Sequence, residues 1–156
     1  MKKVIWLVAV IVTVAITGLL PFAGTDIAKL HPVEVLIVSR SEDGLLLQTD
    51  SGMLGTGKNV EEALQTLRLS SEGNIFLDTA NYLLISPDCT GEIVTLWNYV
   101  RPACQVYHFK GEGKYEKIGK YLESHPSQTT VLGYLQGEIN VPMLIMEGES
   151  VRIEQE

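Results

Sequence analysis

Hydrophobic and polar positions fall into two unlike regimes along this chain. From Val4 to Phe22 there is no charged residue, and nearly every position is Val, Ile, Leu, Ala, Thr or Trp. Nineteen helical residues at a rise of about 1.5 Å reach about 28 Å, the thickness of a bilayer's hydrocarbon core. Lys2 and Lys3 precede the stretch, and such positive flanks stay cytoplasmic, which puts the rest of the chain outside. The competing reading is a cleaved secretory signal. Cuts after Ala23, Gly24 or Ala28 place Pro21, Phe22 or Asp26 at −3, where a small residue is required. The expectation is therefore an uncleaved N-terminal transmembrane helix over 1–24 and a juxtamembrane linker over 25–32. A single extracytoplasmic domain follows over 33–156.

Beyond the linker the pattern alternates between strand and helix periods. Val33 to Val38 is β-branched and apolar, Gly44 to Gln48 follows it, and Asp43-Gly44 between them signals a β-hairpin. Asp50 to Lys58, holding Gly52, Gly55 and Gly57, reads as a loop. Asn59 caps a helix with Glu61 and Glu62 in its first turn and a stripe of Val60, Ala63, Leu64, Leu67 and Leu69; Gly73 ends it. Ile75 to Leu77 and Tyr82 to Ile85 are buried extended segments. The chain turns at Ser86-Pro87-Asp88, and Gly91 to Val100 is a second helix stopped by Pro102. Cys104 to Phe109 alternates as a half-buried strand. Lys114 to Ser124 is a third helix, a short helical turn fits Leu132 to Leu135, and strands fit Val141 to Met146 and Val151 to Glu154. The order predicts an α/β fold of α+β-like character, a mixed sheet with about three packed helices.

Charge narrows the partners. The chain carries a net charge of −7, and −9 without Lys2 and Lys3, which argues against nucleic acid and against lying flat on anionic lipid. The exception is a basic cluster, Lys110, Lys114, Lys117 and Lys120. It lies around the third helix, beside Tyr115 and Tyr121. It is either a solvated helix face or a docking surface for an acidic partner.

Gly52 to Lys58 matches the phosphate-binding pattern G-x-x-x-x-G-K-[ST] until its last position, where Asn59 replaces the hydroxyl that binds Mg²⁺. A Gly-rich connection into an Asn-capped helix explains the same residues. A small phosphate- or nucleotide-binding enzyme using this segment is carried as an alternative, beside a generic structural protein of the cell envelope. Cys89 and Cys104 flank the second helix, about 15 Å apart along its axis, too far for a disulfide, and read as buried free thiols. His31, His108 and His125 are scattered, with no spacing suited to a metal. Asp78, Asp88, Glu92 and Glu112 read as surface and turn residues, so no catalytic residue, cofactor or metal is assigned.

From Asp26 to His125 the chain resembles the N-terminal domain of the C subunits of spore nutrient-germinant receptors, the Ger(x)C family. Asp26-Ile27-Ala28-Lys29-Leu30 is similar to its acidic segment just past the membrane. Gly57-Lys58-Asn59-Val60-Glu61-Glu62-Ala63-Leu64 is similar to its glycine-rich loop and helix. Asn74 to Leu77, Tyr82 to Ser86 and Val106 to Phe109 resemble its strand segments, and Val141 to Ile145 the start of its next one. The resemblance implies a non-enzymatic binding or scaffold module, single-pass in the cell or spore inner membrane, acting with membrane-protein partners in spore germination. Two departures weaken it: family members are usually lipoproteins, whereas the first cysteine here is Cys89, and they are more than twice as long.

Overall fold

A computed structural model describes residues 30–42, 44–71, 73–113, 115, 118–138, 140–148 and 150–154. The expected transmembrane helix over 1–24 lies outside them, and among the described residues no helix is long and apolar enough to cross a membrane. Among the described residues nine strands form: β1 (Leu30–Pro32), β2 (Val35–Ser41), β3 (Gly44–Thr49), β4 (Leu54–Gly57), β5 (Asn74–Phe76), β6 (Tyr82–Ile85), β7 (Gln105–Gly113), β8 (Met143–Gly148) and β9 (Ser150–Glu154). The helices are α1 (Val60–Leu69), α2 (Ile93–Leu96), α3 (Ile118–Ser124) and α4 (Val131–Leu135), with 3-10 turns at Leu77–Thr79 and Pro87–Glu92.

Seven strands make one mixed sheet in the order β4-β3-β2-β6-β7-β8-β9. The central β2, β6, β7 and β8 run parallel, and antiparallel partners close both sides. The continuous apolar runs of β2 and β6 follow from this position, because a strand covered on both faces has no side to leave polar. One face packs Leu36, Val38, Leu83, Ile85 and Val106 against α1, α2 and Val131 of α4; the other packs Val35, Ile37, Leu84, Tyr107, Phe109 and Leu144 against Ile118 and Leu122 of α3. The chain is thus a mixed α+β fold of three layers, thin on the α3 side.

α1 forms as its pattern predicts. Asn59 Oδ1 accepts the Glu62 N–H at 2.9 Å, and Val60, Ala63, Leu64 and Leu67 are buried; Leu69, expected in the same stripe, is instead exposed at the last position of the helix. Each such side chain removed from water is worth about 1.5 to 3 kcal/mol for the larger ones.

Three expectations are corrected. Leu54–Gly57, read as part of a loop, is strand β4 on the edge of the sheet. The second helix is α-helical only over Ile93–Leu96; Pro87–Glu92 is a 3-10 turn. Three β-branched residues, Ile93, Val94 and Thr95, follow Gly91 and propagate an α-helix poorly. Leu30–Pro32, assigned to the linker, pairs in parallel with β5. Thr79 locks that pairing: Val33 N–H donates to its Oγ1 at 3.1 Å, and its hydroxyl donates to the Phe76 carbonyl at 2.7 Å. Leu30–Pro32 thus belongs to a sheet rather than to a linker.

Candidate functional site

β6 is shorter than both its neighbours. Val38, Ile85 and His108 share the last rung of the ladder across β2, β6 and β7. β2 then continues to Ser41 and β7 to Gly113, while β6 has ended. Its final bond to β2 runs from the Ser86 N–H to the Val38 carbonyl at 2.8 Å. Along a strand, main-chain groups point alternately to the two sides. Since Val38 points toward β6, so do the N–H and C=O of Arg40. The Gln105 N–H reaches the Asn81 carbonyl at 2.8 Å, so by the same alternation the Phe109 carbonyl also points toward β6.

The donor due to reach Phe109 is residue 87, which is proline and has no N–H. Pro87 therefore stops the ladder for a chemical reason. By this alternation the Arg40 N–H and C=O and the Phe109 C=O face the place where β6 would continue. Past Ser86 and Pro87, β2 and β7 continue with no strand between them.

The chain leaves β6 and β7 in opposite directions. After β6 it packs Cys89, Ile93 and Leu96 on the α1 face. After β7 it packs Tyr115, Ile118 and Leu122 on the other. Diverging connections at the carboxyl ends of parallel strands open a crevice, the usual place for a ligand on such sheets. Here it encloses about 980 Å³, with Ser39, Arg40 and Ser41 on one wall and Phe109, Lys110 and Gly111 on the other. Ser86 forms the floor side, and Glu42 and Asp88 stand at the rim. Gly111, at φ +97°, lies so close to β8 that a Cβ would collide with the Met146 carbonyl oxygen, so only glycine fits there.

Arg40 and Lys110 lie two residues beyond the shared rung, on the same face as Val38. Neither forms an ion pair within the described residues. The Arg40 guanidinium lies near the Cys89 thiol and favours its anion. Burial nevertheless pushes that thiol up, against the opposing pull of Arg40, and keeps it protonated.

Of the four expected lysines, Lys110 is exposed on the crevice wall, on β7, and Lys120 is exposed on α3. Lys120 does not line the crevice, and Lys114 and Lys117 lie outside the described residues. The glycine-rich segment serves packing. A Cβ on Gly55 would collide with the Ala63 carbonyl and stand 2.6 Å from Leu67 Cβ, and one on Gly57 would stand 2.6 Å from Glu62 Cβ. The backbone donors at the start of α1 are occupied by its own residues, Lys58 N–H by Glu62 Oε2 at 3.0 Å and Glu62 N–H by Asn59.

Cys89 and Cys104 are free and buried. Burial pushes the Cys104 thiol up to about 12. His31 is exposed on β1, His108 half-buried on β7, and His125 stacks on Tyr121 at 4.3 Å. Among the described residues no group of three could hold a metal. A second hollow, of about 400 Å³, is lined by His125, Ser127, Asn140 and Ile153. Nearby, the Tyr107 hydroxyl accepts the Ser127 N–H at 2.7 Å and donates to the His125 carbonyl at 2.9 Å. Burial pushes this hydroxyl up to about 12, so it stays neutral and ties the connection after α3 to the sheet.

Sequence reasoning missed Arg40, Ser39 and Ser86. The available signal was Pro87, two residues beyond a four-residue apolar strand. No family model matches the chain, no curated protein matches it, and no solved structure does; the resemblance to germinant-receptor C subunits rests on the residues quoted for it.

Proposed function

We propose that the chain is a non-enzymatic binding module, tethered to the membrane by residues 1–24 and engaging protein partners there, in the manner of the first domain of a germinant-receptor C subunit. One observation carries this reading: the described chain begins, and the crevice opens, at opposite ends of the sheet. The chain joins the fold at Leu30, where β1 is pinned beside the amino ends of β2 and β6. The crevice opens at their carboxyl ends, about 20 Å away along the seven residues of β2. Residues 23–29 extend no further than about 25 Å. A domain held so close to a bilayer presents its crevice away from the surface, where a neighbouring membrane protein can reach it. The thiols and the glycine-rich segment serve packing, which supports a binding role over a chemical one.

The test is Glu147→Cys in the full chain, placed at the exposed β8–β9 turn, with the two native thiols buried. Labelling of intact cells by an impermeant maleimide, on protein that retains its N-terminus, supports the tethered external domain. Labelling only after permeabilisation contradicts it.

A further inference from the structure

We infer that an apolar rim at the amino end of the sheet, formed by Leu54, Leu69 and Phe76, rests in the interface of the lipid bilayer that holds the chain. The inference depends on the reading that residues 1–24 tether the chain to a membrane. It adds the surface that meets the lipid and the tilt this gives the domain.

The topology brings these three side chains to one end. β2 starts there at Val35, and Leu36 pairs with Thr49 at the close of β3. β4 runs antiparallel to β3 with Leu54 opposite Gln48, so Leu54 lies at the same end, 49% exposed. α1 returns from the far end of β4 and finishes at Leu69, which is 80% exposed. Ser70 Oγ lies 3.1 Å from the Leu54 carbonyl oxygen, which brings the last turn of α1 against the start of β4. Phe76 closes β5 opposite Pro32 of β1. It is 43% exposed and turns outward, because its neighbour Ile75 packs on the core and successive strand residues face opposite ways.

The reach of the chain names lipid as the occupant. Leu30, where the chain joins the fold, pairs with Asn74 of the strand that ends in Phe76. Residues 23–29 span at most about 25 Å, and the headgroup layer they must cross is only about 5 to 7 Å thick. The rim is therefore held within reach of the bilayer. So short a leash keeps the local concentration of surface high, and three side chains too few to hold a free domain suffice for a tethered one. Charge sets the tilt. Arg68, exposed in the last turn of α1, can lay its stem among the leucines and its guanidinium on a lipid phosphate. On the opposite face the same end carries Glu34 beside Gly119 of α3, and Glu123 near Tyr82. Those carboxylates stay in water, so the domain leans with its α1 side down and its α3 side raised. Asp78, exposed just after β5, keeps the contact shallow. On a chain of net charge −7 the contact is apolar rather than electrostatic, and it persists at high salt.

The test places an environment-sensitive NBD maleimide at Leu54→Cys, Leu69→Cys or Phe76→Cys in the full chain, reconstituted into phosphatidylcholine vesicles. Val94→Cys on α2, itself 65% exposed, is the control. Cys89 and Cys104 are buried, so one label per chain shows that a variant is folded; Leu69, the most exposed, is the position least able to disturb folding. Phosphatidylcholine carrying a doxyl group just below the headgroup should quench the label at 54, 69 and 76 at least twofold more than at 94, at low and high salt alike. Equal quenching at all four positions overturns the proposal. A blue-shifted label that doxyl lipid does not quench overturns it too, because a second copy or another protein then covers the rim. A chain that sediments with the vesicles yet shows no quenching at 54, 69 and 76 refutes the rim and leaves the tether standing. A chain that stays in solution refutes both.

Discussion

Gly55→Ala is the substitution that most sharply separates packing from ligand binding in the glycine-rich segment. Gly55 is buried on β4 beneath α1. An added Cβ would stand 2.6 Å from both Leu67 N and Leu67 Cβ and would collide with the Ala63 carbonyl oxygen. Ordinary contact begins near 3.4 Å, so α1 must move by about 1 Å. Two of the three obstructing atoms are helix backbone, which no change of rotamer relieves. Overpacking of this kind costs about 3 kcal/mol. In a domain of this size that lowers Tm by about 10 °C and the urea midpoint by about 2 M. The assay is urea unfolding followed by circular dichroism, with Gly91→Ala as the control. Gly91 has nothing within 4 Å of its Cβ position, so that variant should fall within about 0.5 kcal/mol of the parent. A Gly55→Ala protein as stable as Gly91→Ala would refute the packing explanation and return the segment to candidacy as a ligand loop.

Four further outcomes follow from the same structure. Asn59→Ala removes the acceptor for the Glu62 N–H and should cost about 1 kcal/mol in the same unfolding assay. Tyr107→Phe removes the donor to the His125 carbonyl and one of the two acceptors of the Ser127 N–H, Gln105 Oε1 at 3.0 Å remaining, a loss of about 1 kcal/mol in the same unfolding assay. The Cys104 thiol is raised from 9.0 to about 12 on folding, so its contribution is full below pH 9 and disappears as pH rises toward 12. At pH 10 it should account for about 1.4 kcal/mol of lost stability, which Cys104→Ala abolishes when urea midpoints at pH 8 and pH 10 are compared. Both thiols are buried and should resist Ellman's reagent at pH 8 until denaturant is added; rapid reaction of the folded chain would contradict their burial.

Most strands and α1 were legible because their signals are local. The hairpin of β2 and β3 follows from two apolar runs meeting at Gly44, and α1 from the Asn59 cap with its five-residue stripe, of which all but Leu69 are buried. β6 was legible as a buried strand, since only a strand covered on both faces is apolar throughout, and β7 as an alternating, half-buried one. β4 was hidden because Gly55 and Gly57 read as loop residues until α1 is laid across them. β1 was hidden because its pairing with β5 joins residues more than forty positions apart. The site was less legible still. Lys110 stood out as part of a charged cluster, but its alignment with Arg40 depends on the register of three strands. The gap between them depends on the absence of an N–H at Pro87 opposite Phe109, which only the ladder brings together.

The most direct test of the central claim is photo-crosslinking from the crevice in native membranes. A benzoylphenylalanine placed at Ser41 reports on the crevice, and one at exposed Leu132, on the far side of the α1 layer, serves as the control. The account predicts a discrete membrane-protein adduct from position 41 that disappears when Arg40 and Lys110 are changed to Glu, with none from position 132. Equal adducts from both positions, or an adduct at 41 indifferent to Arg40 and Lys110, would contradict it.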